Sequence, residues 1–254
     1  TDENLYTLFT GMRVLLEQLR FDRSQLVLDG WGNAGEDALR VASISPAWFA
    51  GVVNRDGPTG DETLLLENLE HVPVLYVQGS EGPGIGDLPQ RSGETVGVKL
   101  ITGAGTFLEP STEALDEVNA WIESRERPLS PSKIHYKLGD IRFQSVNWVK
   151  AMSINKRPTA RPQDDDFPRV DAEVNGNTIT LNTVNVFEVI LYLSDSLVDL
   201  DEEVVIVVNG EERVRETFDR DAATLLENRY FNNSGDAGLY TAEVSVGEID
   251  ANLP

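Results

Sequence analysis

Six residues, Gly30-Trp31-Gly32-Asn33-Ala34-Gly35, stand between an apolar run, Gln25-Leu26-Val27-Leu28-Asp29, and a helical pattern, Glu36-Asp37-Ala38-Leu39-Arg40-Val41-Ala42. A strand that turns sharply into a helix can support two chemistries. A nucleophile at the tip attacks a carbonyl, and bare backbone at the tip cradles phosphate. The tip here is Gly32, whose hydrogen side chain cannot attack anything. Other reactive groups are few. The chain has two histidines, His71 and His135, and no cysteine. Disulfides, thiolate catalysis and thiolate metal sites are therefore excluded, and two separated histidines make zinc unexpected. Ser43, Ser45, Ser80 and Ser92 are candidate relocated nucleophiles, with Ser80 best placed, just past a strand end. A hydroxyl with no base beside it stays protonated and weak. Asp164-Asp165-Asp166 lacks the alternating ligands, central glycine and distant glutamate of a calcium loop, and reads as a solvated charge run. No catalytic, cofactor-binding or metal residue is assigned, and no cofactor is expected.

The elements that must position these groups follow from periodicity. Asn4 to Leu19 carries apolar residues at Leu5, Leu8, Phe9, Met12, Leu15, Leu16 and Leu19, a helical spacing. Asp2 can cap its start. A strand is expected at 25–29 and a helix from Gly35 to Ser43. Phe49–Val53, Val72–Val77 and Val96–Ile101 read as further apolar strands, with a helical turn over Thr63–Leu69 and a helix over Ser111–Ser124. Helix alternating with short apolar strand is the mark of a mainly parallel sheet with helices on its faces. Strands this apolar along their length want cover on both sides.

After residue 127 the pattern changes. Ile134 to Val149 alternates in the manner of strands, and 155–168 is polar and proline-bearing, as a linker is. Asn175-Gly176 and Asn209-Gly210 each separate alternating runs and predict two-residue hairpin turns. Strands near 169–174, 177–183, 186–193, 203–208, 211–218 and 241–246, with a helix over 222–229, make a β-rich module. The expected organisation is an α/β domain over 1–127, strands and linker over 128–168, and a β-rich C-terminal module with one helix over 169–254.

Composition limits the partners. The formal net charge is −22, spread along the chain. Such a surface repels nucleic acid backbones and anionic lipid surfaces, and favours solubility. No apolar run approaches the length of a membrane span, and the opening residues are not expected to act as a signal peptide. A chain starting at Thr1 is expected to be a processed product, a cleaved fragment or a trimmed form.

Three segments carry a resemblance. Leu26 to Gly35 resembles the elbow of an α/β-hydrolase of the esterase, depolymerase and prolyl-oligopeptidase-like kind, with Gly30 at the first motif glycine. Val72 to Gly82 looks like the strand that ends in H-G-x-x-D in these enzymes. Leu100 to Phe107, followed by an amphipathic helix, looks like the G-x-G-H segment that supplies the catalytic histidine. The resemblance covers residues 4–125, the later half of such a domain, and residues 128–246 look like extensions attached to such proteins. It implies a serine, acid, histidine order in which every working position departs from the family. Gly32 stands at the nucleophile, Ala34 at the second motif glycine with Gly35 beside it, Gly82 at the acid with Glu81 one residue off, and Thr106 or Phe107 at the histidine. His71 precedes its strand and His135 follows the hydrolase-like region, so neither suits a base at Gly32. The expectation is a catalytically inactive, N-terminally incomplete α/β-hydrolase-like protein that acts as a structural, scaffolding or binding subunit of a larger assembly. Trp31 is one residue that could line or plug the old cleft.

Two alternatives stay open. One is the serine hydrolase with a relocated nucleophile. The other is a dinucleotide-binding domain through Gly30-x-Gly32-x-x-Gly35, with Asp56 lying 21 residues beyond Gly35 as the ribose acid. Against the latter stand the helix before the strand, the bulk of Trp31, and Glu36 and Asp37 where a pyrophosphate would rest. A hydrolase sheet also has strands before the elbow strand, and this sequence supplies none. Strand 25–29 would then be an exposed apolar edge. We expect another polypeptide, or a cleaved N-terminal portion of this one, to pair with it.

Overall fold

Four short strands lie side by side in chain order and all run the same way. They are β1 (Val27–Trp31), β2 (Gly51–Arg55), β3 (Val74–Gln78) and β4 (Val98–Thr102). The computed structural model describes residues 2–19, 22–61, 63–79, 84–86, 88, 96–106, 108–154, 167–231 and 239–247 of the 254. The central strands β2 and β3 are buried through their first four residues, and successive side chains go to opposite faces. Val52, Val74 and Tyr76 meet Phe9 of helix α1 (Asp2–Gln18) and Leu39 and Ala42 of helix α2 (Asn33–Ile44). Val53, Leu75, Val77 and Ile101 meet Ala114, Val118 and Trp121 of helix α3 (Thr112–Glu123) on the other face. Ser111 caps α3, its Oγ accepting from the Ala114 N–H at 3.4 Å.

The second half is a two-sheet sandwich. One sheet holds β5 (Lys133–Lys137), β8 (Arg169–Asn175), β9 (Thr178–Val184), β11 (Val204–Val208) and β12 (Glu211–Glu216), in the order β12-β11-β9-β8-β5. The other holds β6 (Ser145–Val146), β7 (Val149–Ile154), β10 (Val186–Leu193) and β13 (Ala242–Val246), in the order β13-β10-β7-β6. Helix α4 (Ala222–Phe231) precedes β13. The chain changes sheets at Asn185, which takes φ +52 between β9 and β10. A shared core of Tyr136, Trp148, Ile179, Leu181, Val189, Leu191 and Ile206 fills the gap between the sheets. The chain is thus mixed α/β, with a parallel sheet followed by a β-rich part.

Several expectations shift in detail. The first strand is Val27–Trp31, not 25–29, because Asp22 accepts from the Ser24 N–H and Oγ and winds Arg23–Gln25 into a 3-10 turn. The run 134–149 breaks into β5, β6 and the start of β7. The first hairpin turn is Gly176-Asn177, with glycine first at φ +57 and Asn175 still paired to Thr178. One positive φ at the first turn position is the II′ form, whereas Asn209-Gly210, with φ +50 and +83, is the I′ form. In α1 only part of the apolar arc is seated. Phe9 is buried and Met12 packs beside it, while Leu8, Leu15 and Leu19 are exposed. The linker segment 155–166 lies outside the described residues.

The sandwich docks at the amino-terminal ends of the parallel strands. Asn68 donates through Nδ2 to the Ser43 and Lys137 carbonyls, both at 2.8 Å, and accepts from the Lys137 N–H at 2.7 Å. The Tyr136 hydroxyl donates to the Ile44 carbonyl at 2.9 Å. Arg127, 4% exposed, donates to the Ala47 carbonyl. Cores interpenetrate as well. Ala47 sits in the sandwich core, and Phe143 sits in the α/β core with its ring 4.5 Å from that of Phe9.

Candidate functional site

In parallel α/β sheets the site lies beyond the carboxyl ends of the strands. Those ends here are Gly32 after β1, Asp56 after β2, Gly79 after β3 and Gly103-Ala104-Gly105 after β4. Gly32 has φ +57 and ψ −130 and is the N-cap of α2. Its N–H donates to the Arg55 carbonyl at 2.7 Å, and its carbonyl accepts from Gly35 N–H at 2.8 Å. A Cβ built on Gly32 would meet nothing within 4 Å. Among the described residues the tip of the turn is therefore uncrowded, and it carries no side chain of its own.

What holds the turn is close backbone approach. A Cβ on Gly30 would lie 2.1 Å from the Ala34 carbonyl oxygen, and one on Gly35 would lie 2.2 Å from Asn54 Oδ1. Asn54 is fully buried, and its Oδ1 accepts from Gly57 N–H at 2.8 Å. The Tyr76 hydroxyl donates to the Gly57 carbonyl at 3.0 Å, and burial pushes its pKa up to about 12. These contacts tie β1, α2, β2 and β3 together under Gly32.

Asp56 is the acidic side chain that this geometry adds to the strand ends. It takes φ +55, and its Oδ1 accepts from Gly79 N–H at 2.6 Å. The carboxylate faces the ends of β3 and β4, away from the Gly30–Gly35 turn on the far side of β2. A ribose acid would have to face that turn. Asp56 is followed by Gly57, the one local signal of its turn role.

The other residues singled out in the sequence fall elsewhere. Ser43 and Ser45 are buried at the carboxyl end of α2, about 16 Å of helix from Gly32 at 1.5 Å per residue. Ser80, Glu81, Gly82, Ser92 and Phe107 lie outside the described residues, as do Asp164, Asp165 and Asp166. Thr106 is exposed, and its Oγ1 accepts from Glu109 N–H at 3.2 Å in the loop before α3. Trp31 lies beneath the Arg55 guanidinium, 5.9 Å from its ring centre. Among the described residues no group of three or more metal-ligating side chains gathers, and no helix is long and apolar enough to cross a membrane.

Both histidines belong to the joint at the opposite end of the sheet. His71 Nε2 lies 2.7 Å from the Lys133 carbonyl. His135 on β5 pairs through Nδ1 with Asp171 on β8 and through Nε2 with Glu67 at 3.4 Å. Lys137 also reaches Glu67, at 2.6 Å, and Arg169 reaches Asp171, at 3.3 Å. The hydrogen bond to Asp171, joined by that to Glu67, outweighs burial and pushes the His135 pKa up to about 9. The bond from His135, joined by Lys137, holds Glu67 down to about 2.

These shifts predict pH dependence. A raised pKa in the folded state stabilises fully below the unfolded value of about 6.5. That contribution is lost as pH rises through about 9. Glu67 acts with the opposite sign, stabilising above about 4.5 and failing as pH falls through about 2. Melting temperatures between pH 6 and 10 are expected to fall more steeply for the native chain than for His135→Gln. Equal slopes would contradict the pairing.

The sequence matches no protein-family model and no curated protein.

Proposed function

We propose that residues 1–127 are an α/β-hydrolase-like half-domain with an empty catalytic corner, and that the protein binds or scaffolds rather than catalyses. The observation that carries this reading is Gly32: a tight strand-to-helix turn at φ +57 and ψ −130, uncrowded among the described residues, with hydrogen for a side chain. Three features support it. Among the described residues the strand order β1-β2-β3-β4 has no reversal, and so no switch-point crevice for a dinucleotide. Helices α1 and α2 share one face while α3 covers the other. Both imidazoles sit at the opposite end of the sheet, bonded to Lys133, Asp171 and Glu67. The acidic surface, the edge of β1 that no described strand covers and the attached sandwich suit a subunit of a larger assembly, with another polypeptide or a cleaved N-terminal portion on that edge.

The test is labelling and turnover. A fluorophosphonate probe is expected to leave the chain unmodified by intact mass. p-Nitrophenyl acetate is expected to hydrolyse no faster than in buffer. Gly32→Ser should give no turnover, because a serine there has no imidazole to take its proton. Turnover by the native chain that Ser80→Ala abolishes would replace this reading with the relocated nucleophile.

A further inference from the structure

The two outer strands of the parallel sheet differ in exposure. β4 has the character of an edge, with Lys99, Leu100 and Thr102 exposed. β1 is less exposed, with Asp29 alone of its five residues exposed. Val27 packs with the cluster on one face, and Leu26 and Leu28 pack with the cluster on the other. Gly32 donates to Arg55 on β2, so by alternation Gly30 and Leu28 also face β2, while Val27 and Asp29 turn their backbone N–H and C=O groups outward. Among the described residues no strand pairs with that side. Charge normally guards such an edge. Here Asp29 is cancelled by Arg55, which grips its carboxylate at 2.8 and 2.7 Å. A surface of net charge −22 thus has a neutral strip along β1.

Helix α1 carries the matching feature. Leu8, Leu15 and Leu19 lie on one side of the helix, next to the seated Phe9 and Met12 in the 3.6-residue period, and are 41%, 53% and 56% exposed. Among the arc's described residues, two are seated and three are exposed. Handedness then selects what covers the rest. The β1-α2-β2 crossover puts α2 on the face of Val52, Val74 and Tyr76, and α1 packs on that same face. Parallel crossovers are right-handed in about 98% of cases. A parallel strand that leads into α1 must therefore lie on the outer side of β1.

We propose that the outer edge of β1 receives one further parallel strand, supplied by polypeptide directly upstream of α1, with Leu8, Leu15 and Leu19 closing over it. Such a strand is called for whether or not Gly32 is a former nucleophile corner, so failure of one reading leaves the other standing.

Hydrogen–deuterium exchange with peptide mapping tests it. The protein would be isolated from its source with an antibody to the sandwich, and compared with chain 1–254 made alone. The isolated polypeptide is expected to extend upstream of Thr1. Its Val27 and Asp29 amides should exchange about 100-fold more slowly than those of chain 1–254. Val27→Pro removes an outward N–H and keeps the β2 ladder; its lost packing is common to both forms, so it should lower the melting temperature of the longer polypeptide by several degrees more than that of chain 1–254. Slow exchange at Val27 and Asp29 in chain 1–254 as a monomer would overturn the proposal. So would concentration-dependent dimers that Val27→Pro disperses, which would make the occupant a second copy. Protection that depends on a separate, dissociable chain would overturn it as well.

Discussion

Gly30→Ala is expected to prevent stable folding, whereas Gly32→Ala is expected to fold. The two glycines sit two residues apart in one turn and do different things. Gly30 is in β1 where the first turn of α2 crosses it. An added methyl would lie 2.1 Å from the Ala34 oxygen, 2.5 Å from its carbonyl carbon and 2.7 Å from Gly35 nitrogen. All three are backbone atoms, so relief requires α2 to move off β1. That helix carries Leu39, Val41 and Ala42 into the core, and lifting it opens a void. Overpacking alone costs about 1–3 kcal/mol, and the added loss of helix packing brings the expected cost to about 4 kcal/mol. At Gly32 the methyl meets no described residue within 4 Å, and the backbone at φ +57 and ψ −130 opposes it, at about 1–3 kcal/mol. Urea unfolding followed by circular dichroism separates them. Equal midpoints for the two variants would refute the close crossing of β1 and α2.

The contrast bears on what the turn is for. A turn that needed glycine only for its path would use it at the crossing, as at Gly30. At Gly32 glycine is called for by the backbone, at φ +57, and no described residue lies within 4 Å of where a side chain would begin.

Much of this frame is legible in the sequence, because local pattern and global packing agree. The run 186–193 is β10 as read, and the apolar strands of the first half are each found within two residues. Turn chemistry is less secure. Asn175-Gly176 and Asn209-Gly210 look alike as dipeptides, yet Asn177 bonds the Asp199 and Glu203 carbonyls and draws the first turn one residue on. The breadth of the α1 arc misled in another way: apolar spacing tells which side of a helix is apolar, not whether a neighbour is there to cover it. The candidate site divides similarly. The bare tip at Gly32 is visible in the letters, whereas Asp56 turning to Gly79, and Asn54 wedged between Gly35 and Gly57, are contacts across strands that spacing does not encode. The joint is the extreme case. Arg127 meets Ala47, and Asn68 meets Lys137, across 80 and 69 residues.

Asn68→Ala is expected to break that joint. The side chain is 3% exposed and makes three hydrogen bonds to backbone, one to Ser43 and two to Lys137. Alanine leaves the Ser43 carbonyl and both Lys137 groups without this partner, in a place that water reaches poorly. Each unmet group costs about 1 kcal/mol or more, which puts the total near 3 kcal/mol. Asn68→Asp is the sharper probe. Its carboxylate can still accept from Lys137 N–H but confronts two carbonyl oxygens where Nδ2 donated. It is expected to destabilise at pH 7 at least as much as alanine, and to recover partly near pH 4 as the acid gains an O–H to donate. Calorimetry reads both effects. The native chain should melt in one transition, because Ala47 and Phe143 each lie in the other unit's core. Asn68→Ala should lower that transition and split it, the α/β unit melting first since no described strand covers its β1 edge. A variant that melts like the native chain would mean that the interpenetrating cores, not the hydrogen bonds of Asn68, hold the two units together.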